Sequence, residues 1–328
     1  MSRIYISQET DPYFNVALEY QLFSEAEEEV CLFLWQNEPA VIFGRNQNAF
    51  AECNLSYMRT AGIYPVRRFS GGGAVFQDMG NVNFTFITKD QCADTDVFMS
   101  VIQQAMASIG VNFTFSGRND LLCQGKKFSG HAYFTDGEHY LYHGTIMVDV
   151  DLDKLTEALS PSILKLQSKG IASVRSRVIN LSQVNSRITP DTVKAAMVAA
   201  FEHVYNVNSS VWHINRSTME PRNWELLQNK KWIYGEAPAF SISEGKKLFF
   251  GNVTLSADTE NGRILRLKVH TDSLLALDFT QFECERAGSL FELDELFDSI
   301  EKYVSLTEPI ICYNEKVRDE GKDIENNC

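Results

Sequence analysis

The 328 residues are 44% hydrophobic and 22% charged, with 22 Phe and 12 Tyr, which excludes an intrinsically disordered chain and demands a packed interior. Thirty Lys and Arg against 43 Asp and Glu leave a net charge of −13, which argues against nonspecific nucleic-acid binding, since that requires a basic surface. At roughly 150 residues per domain the length suits one large domain and a smaller one, and no run approaches the roughly 18 consecutive apolar residues of a membrane span.

The opening MSRIYISQETDP has neither the apolar core nor the cleavage pattern of a secretion signal. Residues 13–29 place Phe14, Leu18, Leu22 and Phe23 on one stripe with acids on the other face, predicting an amphipathic helix. CLFLWQ (31–36) and AVIFG (40–44) read as short strands split by the turn Asn37-Glu38-Pro39. A helix is expected at about 54–61, followed by strands at 64–69, 74–77 and 82–88. Another helix is expected at 96–109, with strands at 111–115, 127–134 and 140–148 after it. Thr189-Pro190-Asp191 has the form of an N-cap, a proline at the first helical position and an acid in the first turn, opening the helix VKAAMVAAFEHVY.

The chain changes character near 243–252, where new β-type runs (LFFGNVTLSA, GRILRLKVHT) begin and a helix at about 289–304 follows. This puts a domain boundary near 246, giving domains 1–246 and 247–328. Strands and helices alternate irregularly, and several strands are joined by short turns. That pattern predicts an α+β fold, with mixed or antiparallel sheets packed with helices in the large domain and a small α+β C-terminal domain. There is no internal repeat. The seven cysteines (31, 53, 92, 123, 284, 312 and 328) include no CxxC pair, which reads as reduced, mostly buried thiols of a cytoplasmic protein. Cys328, at the end, lacks the following residues a prenylation motif needs.

Three segments carry chemistry. In Arg67-Arg68-Phe69-Ser70-Gly71-Gly72-Gly73-Ala74-Val75-Phe76-Gln77-Asp78, two arginines end one strand, three glycines make the turn, and Ala-Val-Phe begins the next strand. Consecutive glycines let backbone N–H groups approach an anion, and arginine adds a fixed donor fork for phosphate or carboxylate. No GK[ST] follows, so this is not a P-loop, and it is not GxGxxG. The second segment joins Gly117-Arg118-Asn119-Asp120 to Gly125-Lys126-Lys127-Phe128-Ser129-Gly130-His131-Ala132. Adjacent lysines on a strand point to opposite faces, so one of the two enters a given pocket. The third is His143-Gly144-Thr145, in the middle of a strong β run. Taken one at a time, each could equally be a structural turn, a solvated lysine pair and a structural strand histidine.

The ordered set RRFSGGGAVFQDMGN, GRNDL, GKKFSGHA, HGT and SKGIASVRSRVINL resembles the lipoate–protein ligase A family of the biotin/lipoate protein ligase superfamily. FLWQN…VIFGRNQNAFAECN near the start and GEAPAFS before the proposed boundary extend the likeness along most of the chain. The resemblance implies an ATP- and Mg²⁺-dependent ligase that forms lipoyl-AMP and then lipoylates a lysine of an acceptor domain. Acceptors of this kind belong to 2-oxo acid dehydrogenase acyltransferase subunits and the glycine cleavage H protein. Carried over motif by motif, it assigns nucleotide binding to Arg68, Gly73, Ala74, Val75 and Phe76, and loop shape around the adenylate to Ser70, Gly71 and Gly72. The same resemblance implies that Lys127 contacts the lipoate carboxyl and the α-phosphate as the catalytic cation. Trp35, Asn81, Asn119, Asp120, His143, Gly144 and Thr145 match positions around lipoate and its adenylate, with Asp120 the candidate for placing Mg²⁺. Segment 168–177 matches the family's adenylate-binding loop. No nucleic acid or membrane partner is implied. An ATP-independent lipoyl or octanoyl transferase of the same fold, with Cys123 the thiol nearest Lys127 in sequence, and a nonenzymatic lipoate sensor are the alternatives.

Overall fold

The structure, a computed structural model, describes residues 2–45, 47, 49–116, 120–159, 177–235, 240–271 and 277–307. It divides into two compact units, Met1–Ala237 and Pro238–Cys328. In the first, eight strands form one sheet in the order β11-β1-β2-β6-β10-β9-β8-β7. These are β1 (Arg3–Ser7), β2 (Cys31–Trp35), β6 (Asn81–Lys89), β7 (Thr114–Ser116), β8 (Asp120–Cys123), β9 (Lys126–Thr135), β10 (His139–Met147) and β11 (Val211–Ile214). β11, β1 and β2 run parallel, and every pairing from β2 through β7 is antiparallel. A second sheet, β4-β3-β5, is built from β3 (Ala40–Phe43), β4 (Tyr64–Arg67) and β5 (Val75–Gln77).

Strand alternation gives the large sheet two unlike faces. Val82, Phe84 and Phe86 of β6 point to one side, where helices Thr95–Ser108 and Pro190–Tyr205 cover them and Phe86 stacks on Phe98 at 4.9 Å. Asn83, Thr85 and Ile87 point to the other side, toward helix Pro12–Ser24 and the small sheet. The helices start where their caps dictate. Asp11 accepts hydrogen bonds from the N–H groups of Tyr13 and Phe14 with Pro12 at the first helical position, and Thr189 with Thr192 closes a capping box.

Three expectations shift. The first helix stops at Ser24 and not at 29, because the carbonyls of Glu27 and Glu28 accept hydrogen bonds from Lys89 N and Thr88 Oγ1 at the end of β6. β7 begins at Thr114, after Val111 N closes onto Met106 O to finish the preceding helix. The last helix runs Leu293–Thr307, since Leu290 bridges Arg263 and Phe291 N donates to Gly262 O.

The second unit is an antiparallel meander of β12 (Phe240–Leu248), β13 (Gly251–Glu260) and β14 (Arg263–Thr271), with helices Thr280–Arg286 and Leu293–Thr307. Val253, Leu255, Ile264 and Leu267 of the sheet are buried, as are Phe282, Phe297 and Ile300 of the helices. Position 246, where the sequence suggests a boundary, lies inside β12 opposite Val253, and the division falls between 237 and 238. The polar run SEGKK that marks the change of character is itself strand, because alternation on a half-exposed edge tolerates polar residues there.

Candidate active site

A cavity of about 250 Å³ lies over the second face of the large sheet. Sheet register builds its floor. Trp35, Asn83, Thr145, Gly130 and Asp120 are successive partners across β2, β6, β10, β9 and β8, and all line the cavity. The next row places Thr85, His143 and Ala132 side by side. The roof is the glycine turn and β5, through Gly72, Gly73, Ala74 and Val75, with Val16 and Glu19 from the first helix. Exposure separates two ends. The side chains of Lys127 and Asp120 are 36% and 43% exposed, whereas Trp35, Gln77 and Glu19 are only 3–5% exposed. Lys127 and Asp120 therefore stand at the mouth, and the other three lie at the inner end.

The two arginines before the turn diverge, as strand alternation requires. Arg67 turns away and is wholly buried, donating to the carbonyls of Ile233, Trp232 and Gln47 and packing on the Phe43 ring. Arg68 folds under the glycine turn. Its Nε donates to Ser70 Oγ and Gly71 O at 3.0 Å, its Nη2 to Gly71 O at 2.6 Å and Gly73 O at 2.9 Å, and its Nη1 to Ile42 O. Burial pushes its pKa down to about 10, opposed by the charge of Glu19, so it stays cationic near neutral pH. Gly72 has φ +94°, and a Cβ there would sit 2.7 Å from Arg68 Nη2. Glycine is thus required twice, for the backbone angle and for the guanidinium beneath it.

Lys127 Nζ pairs with Asp120 Oδ1 at 2.8 Å and lies over Gly130, where any Cβ would approach it to 2.8 Å. Lys126 is exposed on the opposite side of the strand and does not line the cavity. His131 is buried between Ser129 Oγ (2.8 Å) and Tyr142 OH (2.7 Å). Burial, with Lys127 nearby, lowers its pKa to about 4, so it is a neutral ring beside the Lys127 ammonium.

A hydrogen-bond chain crosses the inner end. Trp35 Nε1 donates to Thr85 Oγ1, which donates to Glu19 Oε1 at 2.7 Å. That oxygen lies 2.9 Å from His143 Nδ1, and His143 Nε2 is 3.2 Å from Ser70 Oγ. Burial works to raise the pKa of Glu19, but His143, Thr85 and Arg68 outweigh it and hold the carboxylate below its ordinary value. The chain ties the first helix to the glycine turn, because Ser70 also takes the Arg68 Nε bond.

The structure brings Trp35, Arg68, Gly72, Gly73, Ala74, Val75, Asp120, Lys127, His143, Gly144 and Thr145 to this one cavity. Ser70 and Gly71 stand behind it as partners of Arg68. Phe76 is not in it: alternation along β5 sends Val75 and Gln77 to the cavity and the Phe76 ring into the core behind the small sheet. Asn81 is buried and supports Asn83 from its Nδ2 at 3.0 Å, without lining the cavity. Asn119 and segment 168–176 lie outside the described residues. Glu19, Gln77, Asn83 and Gly130 line the cavity without having been singled out. Glu19 corrects the expectation that the acids of the first helix face outward; a strand histidine able to pair with it was the signal available.

Residues 11–202 match the family model of the lipoyl protein ligase A/B catalytic domain, which spans the cavity-building strands and the glycine turn. The chain belongs to that family. It is similar to the lipoate-protein ligase A of Blochmanniella floridana, at 36% identity over 282 residues, covering 83% of this chain and 84% of that protein. Among solved structures of the family's fold it is similar to P. falciparum LipL1 in complex with lipoate, at 26% identity and a TM-score of 0.64, covering 93% of this chain and 99% of that one. It also resembles a lipoate-protein ligase A bound with ATP, at 21% identity and a TM-score of 0.63, covering 72% and 99%. That second likeness bears on fold alone. Among the described residues no helix is long and apolar enough to cross a membrane.

Proposed function

We propose that this chain is an ATP-dependent lipoate–protein ligase. A carboxylate oxygen of lipoate attacks the α-phosphorus of ATP, pyrophosphate leaves, and lipoyl-AMP forms. The amine of an acceptor lysine then attacks the acyl carbon, and AMP leaves with the amide formed. The observation that carries this reading is the Lys127 ammonium at the mouth of a cavity whose lining includes the apolar Trp35, Val16 and Ile42. A carboxylate and a polyanionic triphosphate repel, so a cation must stand between them, and an ammonium can contact both as charge moves. The glycine turn holds the phosphates with its N–H groups, its shape maintained from below by Arg68. Trp35, Val75, His143, Gly144 and Thr145 enclose the acyl chain. Asn81 acts from behind the wall, holding Asn83 in place. Residues 1–237 hold this chemistry, and the second unit is accessory to it.

Among the described residues no group of three or more His, Cys, Asp or Glu could hold a metal, which suits Mg²⁺ carried by phosphates with one carboxylate, Asp120, at the mouth. Bound there, it would neutralise phosphate charge. No side-chain nucleophile is needed. Cys123, the thiol of the transferase reading, is 3% exposed with its pKa raised by burial, and it packs in the helix-covered core. The acceptors are lipoyl-acceptor domains of 2-oxo acid dehydrogenase acyltransferase subunits and the glycine cleavage H protein, met in the cytoplasm. Pyrophosphate release on adding lipoate and MgATP, then a lipoyl mass shift on an acceptor lysine, tests the proposal. Transfer from an acylated carrier without ATP would replace it with the transferase, and binding without turnover would replace it with the sensor.

A further inference from the structure

Beside the cavity runs a ladder of buried carboxamides, Asn15, Asn37, Gln77, Asn83 and Asn81, each at most 3% exposed. Its polarity follows from two main-chain carbonyls. Asn15 contacts Glu9 O and Gln36 O at 2.9 Å, and carbonyl oxygens only accept, so the nitrogen of Asn15 must point there. Its oxygen takes the Ser7 hydroxyl proton at 2.6 Å. The same nitrogen meets Asn37 at 3.0 Å, so Asn37 presents its oxygen to Asn15 and its nitrogen to Gln77, at 2.8 Å. Gln77 therefore presents its oxygen to Asn37, and Asn83 Nδ2 donates to that same oxygen at 3.1 Å. Every flip is settled without reference to a ligand.

The Nε2 of Gln77 is left over. Both hydrogen bonds of this side chain use Oε1, and the 3% of the residue that remains accessible faces the cavity it lines. An N–H₂ donor with its orientation locked from behind thus looks into the inner end, next to Asn83 and so next to Trp35, its register partner. An acyl chain entering with its carboxylate at Lys127 delivers its far end there.

We propose that Gln77 selects the far end of the acyl substrate, favouring a sulfur-bearing ring over a plain hydrocarbon of equal size. This rests on the ligase reading and names the part of the substrate it left open. A hydrocarbon that fills the inner end strips solvent from Nε2 and returns nothing, and a buried donor left unmet is costly. A dithiolane sulfur is a weak, polarisable acceptor that meets the donor within the same volume. Octanoate, with a methyl end, is the disfavoured class, and lipoate the favoured one.

The probe is 5-cyclopentylpentanoate, in which ring carbons replace the two sulfurs of lipoate. Adenylation is followed by pyrophosphate release for both acids, and binding by calorimetry without ATP. The wild type should prefer lipoate about tenfold in kcat/KM and in Kd, equivalent to about 1.4 kcal/mol. In Gln77→Leu the preference should fall to about unity, with the carbocyclic acid and octanoate binding more tightly than in wild type. Because Leu also removes the acceptor of Asn37 and Asn83, a melting curve accompanies it; the two-acid comparison on the unaltered protein stands even if the variant does not fold. A wild type that uses both acids equally overturns this inference while leaving the ligase reading intact. A wild type that releases no pyrophosphate with either overturns both.

Discussion

The two faces of the large sheet are made from alternate residues of the same strands and meet opposite requirements. On the helix side, Val82, Phe84 and Phe86 need only volume, and Phe98, Phe201 and Tyr142 supply ring-to-ring packing. On the cavity side, Asn83, Thr85, His143 and Thr145 are polar yet largely shielded from water, and those with buried polar atoms find partners on other elements: Gln77, Glu19 and Ser70. The lesson is that polar residues buried in alternate register mark the reactive face of a sheet, because their desolvation has to be offset by other groups brought to the same place.

Substitutions on the two faces should therefore fail in different ways. Phe86→Ala, on the helix side, should cost about 3–5 kcal/mol of stability through the cavity it leaves. The folded fraction should keep its ligase turnover, which a urea titration paired with an activity assay will show; a specific loss of turnover would erase the distinction between faces. Lys127→Ala should leave the melting temperature nearly unchanged yet lower adenylation about 10²–10³-fold. Lys126→Ala, on the exposed side of the strand, should be mild, and equal losses from the pair would show that Lys127 has been misassigned.

His131 sharpens the comparison through pH. Its folded pKa of about 4 lies below the roughly 6.5 of an unfolded histidine, so the unfolded state binds the proton first. Stability from its burial is complete above pH 6.5 and drains as pH falls toward 4, by up to about 3 kcal/mol. The titratable neighbours are Lys127, Asp120 and His143. Denaturant midpoints at pH 7, 5.5 and 4.5 should flatten in His131→Asn, and an unchanged slope would count against the burial argument. Gly72→Val adds a Cβ against Arg68 at a positive φ, which should cost about 1–2 kcal/mol in the turn and weaken ATP about tenfold in calorimetry. Normal ATP affinity would reduce the turn to a connector. The smallest effect belongs to the thiols. Among the described residues no cysteine lines the cavity, and burial raises the pKa of Cys31, Cys53 and Cys123, that of Cys53 to about 12. Replacing all seven by Ala or Ser should leave both half-reactions in place apart from packing losses. A variant that makes lipoyl-AMP but cannot pass it on would reveal a thiol intermediate.

Local chemistry alone determined much of this protein. Asp11-Pro12 and Thr189-Pro190 start their helices, period-two runs make β6, β9 and β10, three glycines make the turn, and Lys126 and Lys127 separate by strand alternation. Each of these depends on residues within a few positions of one another. Only the tertiary structure decided that Glu19 is buried against His143, that Arg68 serves the turn from beneath, that Phe76 faces away, and that the units divide at 237 and not at 246. Glu19 and His143 are 124 positions apart, and the amide of Gln77 is oriented by Asn37, 40 positions away. A side chain's periodicity says which side of its own strand it takes; what waits on that side is set by elements far away in the chain, and burial and hydrogen-bond direction follow from them.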